Sequence, residues 1–135
     1  MKLAVLFPGQ GSQFLGMGRE FIEQDNEAKD LVERAKDVCG FDIESLINDG
    51  PMEELTKNSK LQPAITVTNL ICWNAIAKKL GDRQVSCFAG HSLGEYSALA
   101  ASGAISDIDA IKLVTRRGAL MEREGTANPG GMRAV

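Results

Sequence analysis

The sequence predicts an α/β fold with a parallel sheet, and two observations lead to this prediction. Two short apolar runs, KLAVLF at residues 2–7 and VSCFA at residues 85–89, have the length and composition of buried strands. The long stretch between them carries helical patterns. Because strands separated by helices form parallel βαβ units, we expect both strands in a parallel sheet.

Helical patterns account for most of the remaining sequence. The clearest is at residues 27–38, where Leu31, Val32 and Ala35 recur at spacings of three and four, and where Gly40 follows as a stop signal. Ser106 has the character of an N-cap for the last helix. The predicted helices cover residues 20–24, 27–38, 43–48, 51–57, 63–80, 93–101 and 107–124.

The predicted sheet is incomplete, because only two convincing strands are present where a sheet usually has about four to six. A loop at residues 127–131 precedes MRAV at residues 132–135, which is typical of the beginning of a third strand. We therefore expect the sequence to be a fragment of a larger protein or one piece of a nicked one.

Composition disfavours several classes of protein. The 135 residues carry a net charge of −3 without a lysine or arginine run, which argues against a nucleic-acid partner. No stretch approaches the ~20 apolar residues of a membrane span. Cys39, Cys72 and Cys87 lie far apart without metal-binding spacing, so we expect reduced, mostly buried thiols in a cytoplasmic protein. A nucleophilic Cys87 is the alternative, which its apolar surroundings disfavour.

The sequence AGHSLGEYSA at residues 89–98 places a G-x-S-x-G motif between a predicted strand and a predicted helix. In this context Gly90 and Gly94 leave space for a sharp turn that exposes Ser92 as a nucleophile. The turn also places Ser92 beside the Leu93 N–H at the positive end of the helix, where an oxyanion can be stabilised. The alternative is a glycine-rich turn without a catalytic role, and the flanking strand and helix favour the nucleophile.

His91 is the single histidine of the sequence and directly precedes Ser92. Adjacent side chains on a tight turn diverge, whereas a general base must lie within roughly 2.6–3.2 Å of the hydroxyl. We therefore expect His91 to pack beside the turn as part of its geometry. The base must come from elsewhere.

A glycine-rich loop, FPGQGSQFLGMG at residues 7–18, follows the first predicted strand. It lacks the Gly-Lys-Ser/Thr ending of a P-loop and the spacing of a dinucleotide fingerprint, which disfavours a nucleotide site. If the two strands are neighbours, the loop shares a crevice with the serine turn. The Gln10 N–H can then complete an oxyanion hole with Leu93. The alternative is that Gln10 and Gln13 only anchor the loop.

Together, four segments resemble malonyl-CoA:acyl carrier protein transacylases, in that family's order and roughly its spacing: GQGSQ at 9–13, QPA at 62–64, GHSLGEYSA at 90–98 and the pair Arg117-Gly118. The resemblance implies an α/β-hydrolase-like large subdomain, incomplete here and truncated at the start of a ferredoxin-like small subdomain. Residues 1–125 would belong to the large subdomain. Residues 126–135 would form a linker and the first strand of the small one.

The resemblance also implies roles for individual residues. Ser92 resembles the acylated nucleophile, the N–H groups of Gln10 and Leu93 resemble the oxyanion hole, and Arg117 resembles the arginine that binds the malonyl carboxylate. Arg117 has independent support, because a planar guanidinium can bind a carboxylate through two parallel hydrogen bonds. The alternative for Arg117 is an ordinary surface charge. We expect Gln62 to line the substrate site or support it rather than to react.

The implied reaction is ping-pong transfer of a malonyl group from malonyl-CoA to acyl carrier protein in fatty-acid biosynthesis, without a permanently bound cofactor or a metal. The catalytic histidine would lie after Val135, in a C-terminal remainder of the same protein, so the isolated chain is expected to be nearly inactive. Two alternatives stay open. One is a serine esterase or thioesterase of the α/β-hydrolase type, and the other is a non-catalytic docking fragment.

Overall fold

The computed structural model describes residues 2–81 and 84–131. They form two strands, β1 (Leu3–Phe7) and β2 (Val85–Gly90), and these pair in parallel with Phe7 opposite Gly90. The predicted parallel pairing is therefore confirmed. The helices are α1 (Arg19–Gln24), α2 (Asn26–Cys39), α3 (Ile43–Asp49), α4 (Met52–Leu55), α5 (Asn58–Leu80), α6 (Gly94–Ala101) and α7 (Asp107–Ala127).

Helix α5 lies at the centre of the core. Its side chains from Leu61 to Val67 are all buried, as are Leu70 and Ile71. Helix α7 packs along it, and α2 and α6 also contact it. Because α6 also packs against both strands, this arrangement holds the carboxyl ends of the strands close to α5 and α7.

Local signals account for most helix ends. The Asp25 carboxylate accepts a hydrogen bond from the Glu27 N–H at the start of α2, and Gly40 ends that helix with a φ of 74°. The predicted Ser106 cap is confirmed, because its hydroxyl accepts a hydrogen bond from the Asp109 N–H. Helix α7 continues to Ala127, three residues beyond the predicted end.

The start of α5 differs from the prediction. The sequence pattern begins at Pro63, whereas the helix begins at Asn58. The Glu122 carboxylate of α7 accepts a hydrogen bond from the Ser59 N–H at 2.8 Å, and so satisfies one of the free N–H groups of the first turn. A cap supplied from 63 residues away leaves no local signal in the sequence.

The expected burial of the strands is wrong for part of the sheet. Leu6 is 74% exposed, and Cys87 is exposed rather than buried. Within the described residues each strand pairs only with the other, so the outer edges of β1 and β2 are uncovered. Cys39 and Cys72 are partly buried, and burial raises the pKa of both thiols.

The predicted strand at residues 132–135 lies outside the described residues. The loop before it begins where α7 ends at Ala127. Among the described helices, none combines the length and the apolar character needed to cross a bilayer.

Candidate active site

Ser92 occupies a sharp turn between the end of β2 and the start of α6. Its φ is 50°, and it is the single non-glycine residue with a positive φ in residues 2–81 and 84–131. Such a conformation costs about 1–3 kcal/mol and persists only where the surroundings enforce it. The side chain is exposed, so the turn presents the hydroxyl at the carboxyl edge of the sheet. We call residues 91–93 the Ser92 turn.

Two glycines make this turn possible by leaving space for neighbouring backbone. A Cβ at Gly90 would collide with the backbone of Gly94 and Glu95. A Cβ at Gly94 would collide with the Phe7 carbonyl at the end of β1. The first turn of α6 is therefore pressed against both strand ends, which is the close approach that glycine at these positions was predicted to permit.

The loop after β1, residues 8–18, lies directly beside the Ser92 turn, and we call it the Gln10 loop. The His91 N–H donates to the Phe7 carbonyl at 3.0 Å. Gly9 packs against the His91 carbonyl so closely that a Cβ would not fit. Across the described residues, neither the Gln10 N–H nor the Leu93 N–H donates to a protein acceptor. Both donors are thus available to a bound group.

The side chains of the Gln10 loop also have anchoring contacts. The Gln13 carboxamide oxygen accepts a hydrogen bond from the Gly11 N–H at 2.9 Å, and the Ser12 hydroxyl donates to the Gly9 carbonyl at 2.7 Å. Gln13 therefore supports the loop, as the alternative prediction for it stated. The Gln10 side chain is exposed.

Arg117 extends from α7 to Ser92. One guanidinium nitrogen, Nη2, lies 3.3 Å from Ser92 Oγ, and the other, Nη1, donates to Gln62 Oε1 at 2.8 Å. The guanidinium carbon lies 5.8 Å from the centre of the Tyr96 ring, within the range of a cation–π contact. The sequence-predicted residues Ser92, Arg117 and Gln62 are thereby brought together.

Gln62 is fully buried and fixes the position of the guanidinium. Its Nε2 lies 3.1 Å from Met121 Sδ, so its carboxamide oxygen faces Arg117. The sequence did not single out Met121 or Tyr96. Met121 lies four residues after Arg117 and therefore on the same helix face, which is a signal that helical periodicity could have supplied.

Close packing between α5 and α7 places Arg117 near Gln62. A Cβ at Gly118 would collide with the Asn58 carbonyl at the start of α5. The adjacent Arg116 is exposed. Glycine at 118 therefore lets the two helices approach where the Gln62 contact is made.

Among the described residues, His91 does not make the contact with the Ser92 hydroxyl that a general base would need. The side chain is exposed, and in the described part of the chain its ring makes no hydrogen bond with the Ser92 hydroxyl. The protein partner of that hydroxyl there is Arg117. The same part of the chain has no cluster of three or more histidine, cysteine, aspartate or glutamate side chains suited to a metal ion.

The fold and the site define an α/β protein with a strained serine turn beside an anchored arginine, and comparison with known proteins gives the family. Residues 5–135 match the acyl transferase domain family, and the chain belongs to that family. The malonyl CoA-acyl carrier protein transacylase of Bacillus subtilis strain 168 is 44% identical over 136 residues, covering 99% of this chain and 42% of the relative. The transacylase of Haemophilus influenzae is 38% identical over 134 residues, covering 99% and 43%.

Solved structures give the same result. An acyl carrier protein S-malonyltransferase from Vibrio cholerae superimposes with a TM-score of 0.83 at 43% identity, covering 95% of this chain and 40% of that one. The MCAT of Mycobacterium tuberculosis gives a TM-score of 0.88 at 32% identity, covering 96% and 43%. The chain thus spans about two fifths of the length of these relatives.

Proposed function

We propose that this chain carries the nucleophile, the oxyanion donors and the carboxylate-binding arginine of a malonyl transferase. Ser92 accepts the malonyl group from malonyl-CoA as a seryl ester, and the phosphopantetheine thiol of acyl carrier protein then takes it. The proposal rests mainly on one observation: a guanidinium held by the buried Gln62 lies 3.3 Å from the Ser92 hydroxyl.

This distance favours a short acyl group with a terminal carboxylate. An arginine beside the nucleophile can reach a carboxylate only if it lies within a few bonds of the reacting carbonyl. In a malonyl group, one methylene separates the two carbons. The carboxylate can displace the Ser92 hydroxyl from Arg117, since a charged acceptor makes the stronger hydrogen bond. Binding then frees the hydroxyl for attack.

The proposed chemistry proceeds through two acyl transfers. Ser92 Oγ attacks the thioester carbonyl, and the Gln10 and Leu93 N–H groups stabilise the oxyanion of the tetrahedral intermediate. The general base takes the Ser92 proton and returns it to the leaving sulfur, so the carbon–sulfur bond breaks, CoA leaves as the thiol, and the ester remains on Ser92. The carrier thiol attacks this ester by the reverse sequence. Malonyl-CoA is a substrate, and the scheme uses no resident cofactor.

The general base is proposed to come from polypeptide outside this chain, because His91 is the single histidine and, among the described residues, the hydrogen-bond partner of the Ser92 hydroxyl is Arg117. The uncovered edges of β1 and β2 are the surfaces that a C-terminal remainder of the same protein would cover. We therefore propose that the isolated chain is nearly inactive. Loss of a triad-type base costs several orders of magnitude in rate.

Acyl carrier protein is the proposed acceptor, and fatty-acid or polyketide synthesis is the proposed setting. One related structure is described as a type II PKS acyl-carrier protein in complex with its malonyl-transacylase. A relative from Bacillus velezensis is named a polyketide biosynthesis malonyl CoA-acyl carrier protein transacylase. A cytoplasmic location fits this role and is part of the proposal.

A hydrolase is the second candidate, since it shares the serine turn. The Arg117 contact disfavours it, because a bound acyl carboxylate selects the acyl group and does nothing to activate water. A carrier-free release of malonate would identify a hydrolase. A docking fragment is the third candidate, and in that case Ser92→Ala would leave carrier binding intact and remove no activity.

The test uses a chimera in which this chain replaces the matched N-terminal segment of the Bacillus subtilis relative. Acylation of Ser92 is followed by intact mass with malonyl-CoA and with acetyl-CoA. We expect Arg117→Ala to reduce the rate with malonyl-CoA roughly 10- to 100-fold, as for a lost charged hydrogen bond, and to leave acetyl-CoA unaffected. Arg116→Ala is the matched control and should change neither. Equal loss with both donors would contradict the carboxylate role.

A further inference from the structure

We propose that Asn69 is a positioning residue that holds the Gln10 loop at a fixed distance from the Ser92 turn. The proposal rests on the proposed function, in which the Gln10 N–H stabilises the oxyanion. Neither the motifs nor the comparisons assign a role to Asn69.

The carboxamide of Asn69 connects three elements at a point between the two halves of the site. The side chain lies on α5, and the residue is only 7% exposed. Its Nδ2 donates to the Pro8 carbonyl at 3.2 Å and to the Ser97 hydroxyl at 3.1 Å. Pro8 begins the Gln10 loop, and Ser97, which is fully buried, lies in the first turns of α6.

Both acceptors lie within a few residues of a proposed oxyanion donor. Pro8 precedes Gln10 by two residues, and Ser97 follows Leu93 by four, one helical turn further on. A single planar NH₂ group uses its two hydrogens in fixed directions, so these two bonds set the distance between the loop and the helix. The two N–H groups must lie about 2.7–3.1 Å from one oxyanion, which makes that distance critical.

The Pro8 carbonyl and the Ser97 hydroxyl both accept hydrogen bonds here, so the residue at position 69 must be a donor. An aspartate of the same shape would place its oxygens against the Pro8 carbonyl, and a leucine would leave the carbonyl without its partner. A partly buried carbonyl that loses its hydrogen-bond donor is destabilised where it lies. Either change is therefore expected to move the loop away from α6.

The first test measures amide hydrogen exchange in the 135-residue chain. In Asn69→Leu, exchange should become about fivefold faster or more, relative to core amides of α7, at Ser12, whose N–H bonds the Gly9 carbonyl within the Gln10 loop, and at His91, whose N–H bonds the Phe7 carbonyl directly before that loop. Asn74→Leu is the matched control. Asn74 is also on α5, but it donates to Asp107 of α7 at 3.2 Å rather than to the loop. Uniform acceleration in both variants would overturn the positioning role.

The second test measures kcat and KM for malonyl-CoA in the chimera. Asn69→Leu should lower kcat about tenfold to a hundredfold, as for a misplaced catalytic group, with little change in KM. Asn74→Leu should leave kcat unchanged. Ser97→Ala, which keeps the Pro8 bond, should lose less than Asn69→Leu. An unchanged kcat with accelerated loop exchange would overturn the proposed link to catalysis, whereas a wild-type chimera that is never acylated would overturn the proposed function itself.

Discussion

At Ser92, the groups of the candidate site are held in place by residues from other elements. Ser92 keeps its positive φ because Gly94 packs on the end of β1. Arg117 points at Ser92 because Gln62 Oε1 accepts a hydrogen bond from the second guanidinium nitrogen of Arg117. The motif predicts the serine turn, since the glycines are adjacent in sequence. The bond between Gln62 and Arg117 joins residues 55 positions apart and could be anticipated only through the family resemblance.

At this scale we predict that Gln62→Leu weakens the arginine site. The variant removes the acceptor that anchors Arg117, so discrimination between malonyl-CoA and acetyl-CoA in the chimera should fall about tenfold, as for one lost charged hydrogen bond. Thr66→Val is the matched control. Thr66 is fully buried one turn further along α5, and its hydroxyl has no partner among the described residues. Thr66→Val should therefore keep full discrimination between malonyl-CoA and acetyl-CoA. Equal discrimination in Thr66→Val and Gln62→Leu would contradict the anchoring role of Gln62.

At the scale of elements, the contact between α5 and α7 determines where Arg117 lies. Helix existence was predictable from apolar periodicity and from the end signals at Ser106 and Gly40. The extension of α5 to Asn58 was not, because the Glu122 cap comes from α7. Burial of the strands was also mispredicted, since apolar composition does not say which edge of a sheet is covered.

The Glu122 cap gives a prediction about pH. Hydrogen bonds from Ser59 hold the pKa of the Glu122 carboxyl below its ordinary value of 4.5. A depressed folded-state pKa means that the stabilisation is complete above pH 4.5 and is lost as the pH falls through the folded pKa. Glu122→Gln keeps an acceptor oxygen but removes its charge, so it should cost about 0.3–1 kcal/mol at pH 7, as for a charge lost at a helix N-terminus, and progressively less below pH 4.5.

Urea unfolding at several pH values measures this difference. Asp30→Asn serves as the control, because Asp30 lies on the exposed face of α2 and, within the described part of the chain, its one ion pair is with Arg34 at 3.6 Å. A cost for Glu122→Gln that stays constant down to pH 3 would contradict the cap.

Gly118 gives a second prediction for these elements. In Gly118→Ala the new methyl group meets the Asn58 carbonyl, so the helices must separate, and overpacking of this kind costs about 1–3 kcal/mol. Gly125→Ala is the matched control on the same helix, where a Cβ meets nothing within 4 Å. Gly125→Ala should stabilise the chain by about 0.5–1 kcal/mol through helix propensity. Thermal unfolding checks this: the Tm should fall in Gly118→Ala and rise in Gly125→Ala.

At the scale of the whole molecule, the uncovered sheet is the main feature. A groove of about 600 Å³ runs along β1 and is lined by Leu6, Phe14, Trp73 and Ile76, three of which are exposed. A second groove of similar volume follows β2 and includes Cys87 and Leu99. The sequence indicated an incomplete sheet by its count of strands. It could not indicate which surfaces stay open, because that depends on tertiary packing.

The central claim is that this chain carries Ser92 as a malonyl acceptor but depends on a base from elsewhere. The most direct measurement is a denaturing intact-mass spectrum after brief exposure to malonyl-CoA, taken for the 135-residue chain and for the chimera, each with and without Ser92→Ala. We predict one malonyl group on the chimera, none on its Ser92→Ala variant and almost none on the isolated chain. Malonylation that survives Ser92→Ala, or rapid turnover by the isolated chain, would contradict the account.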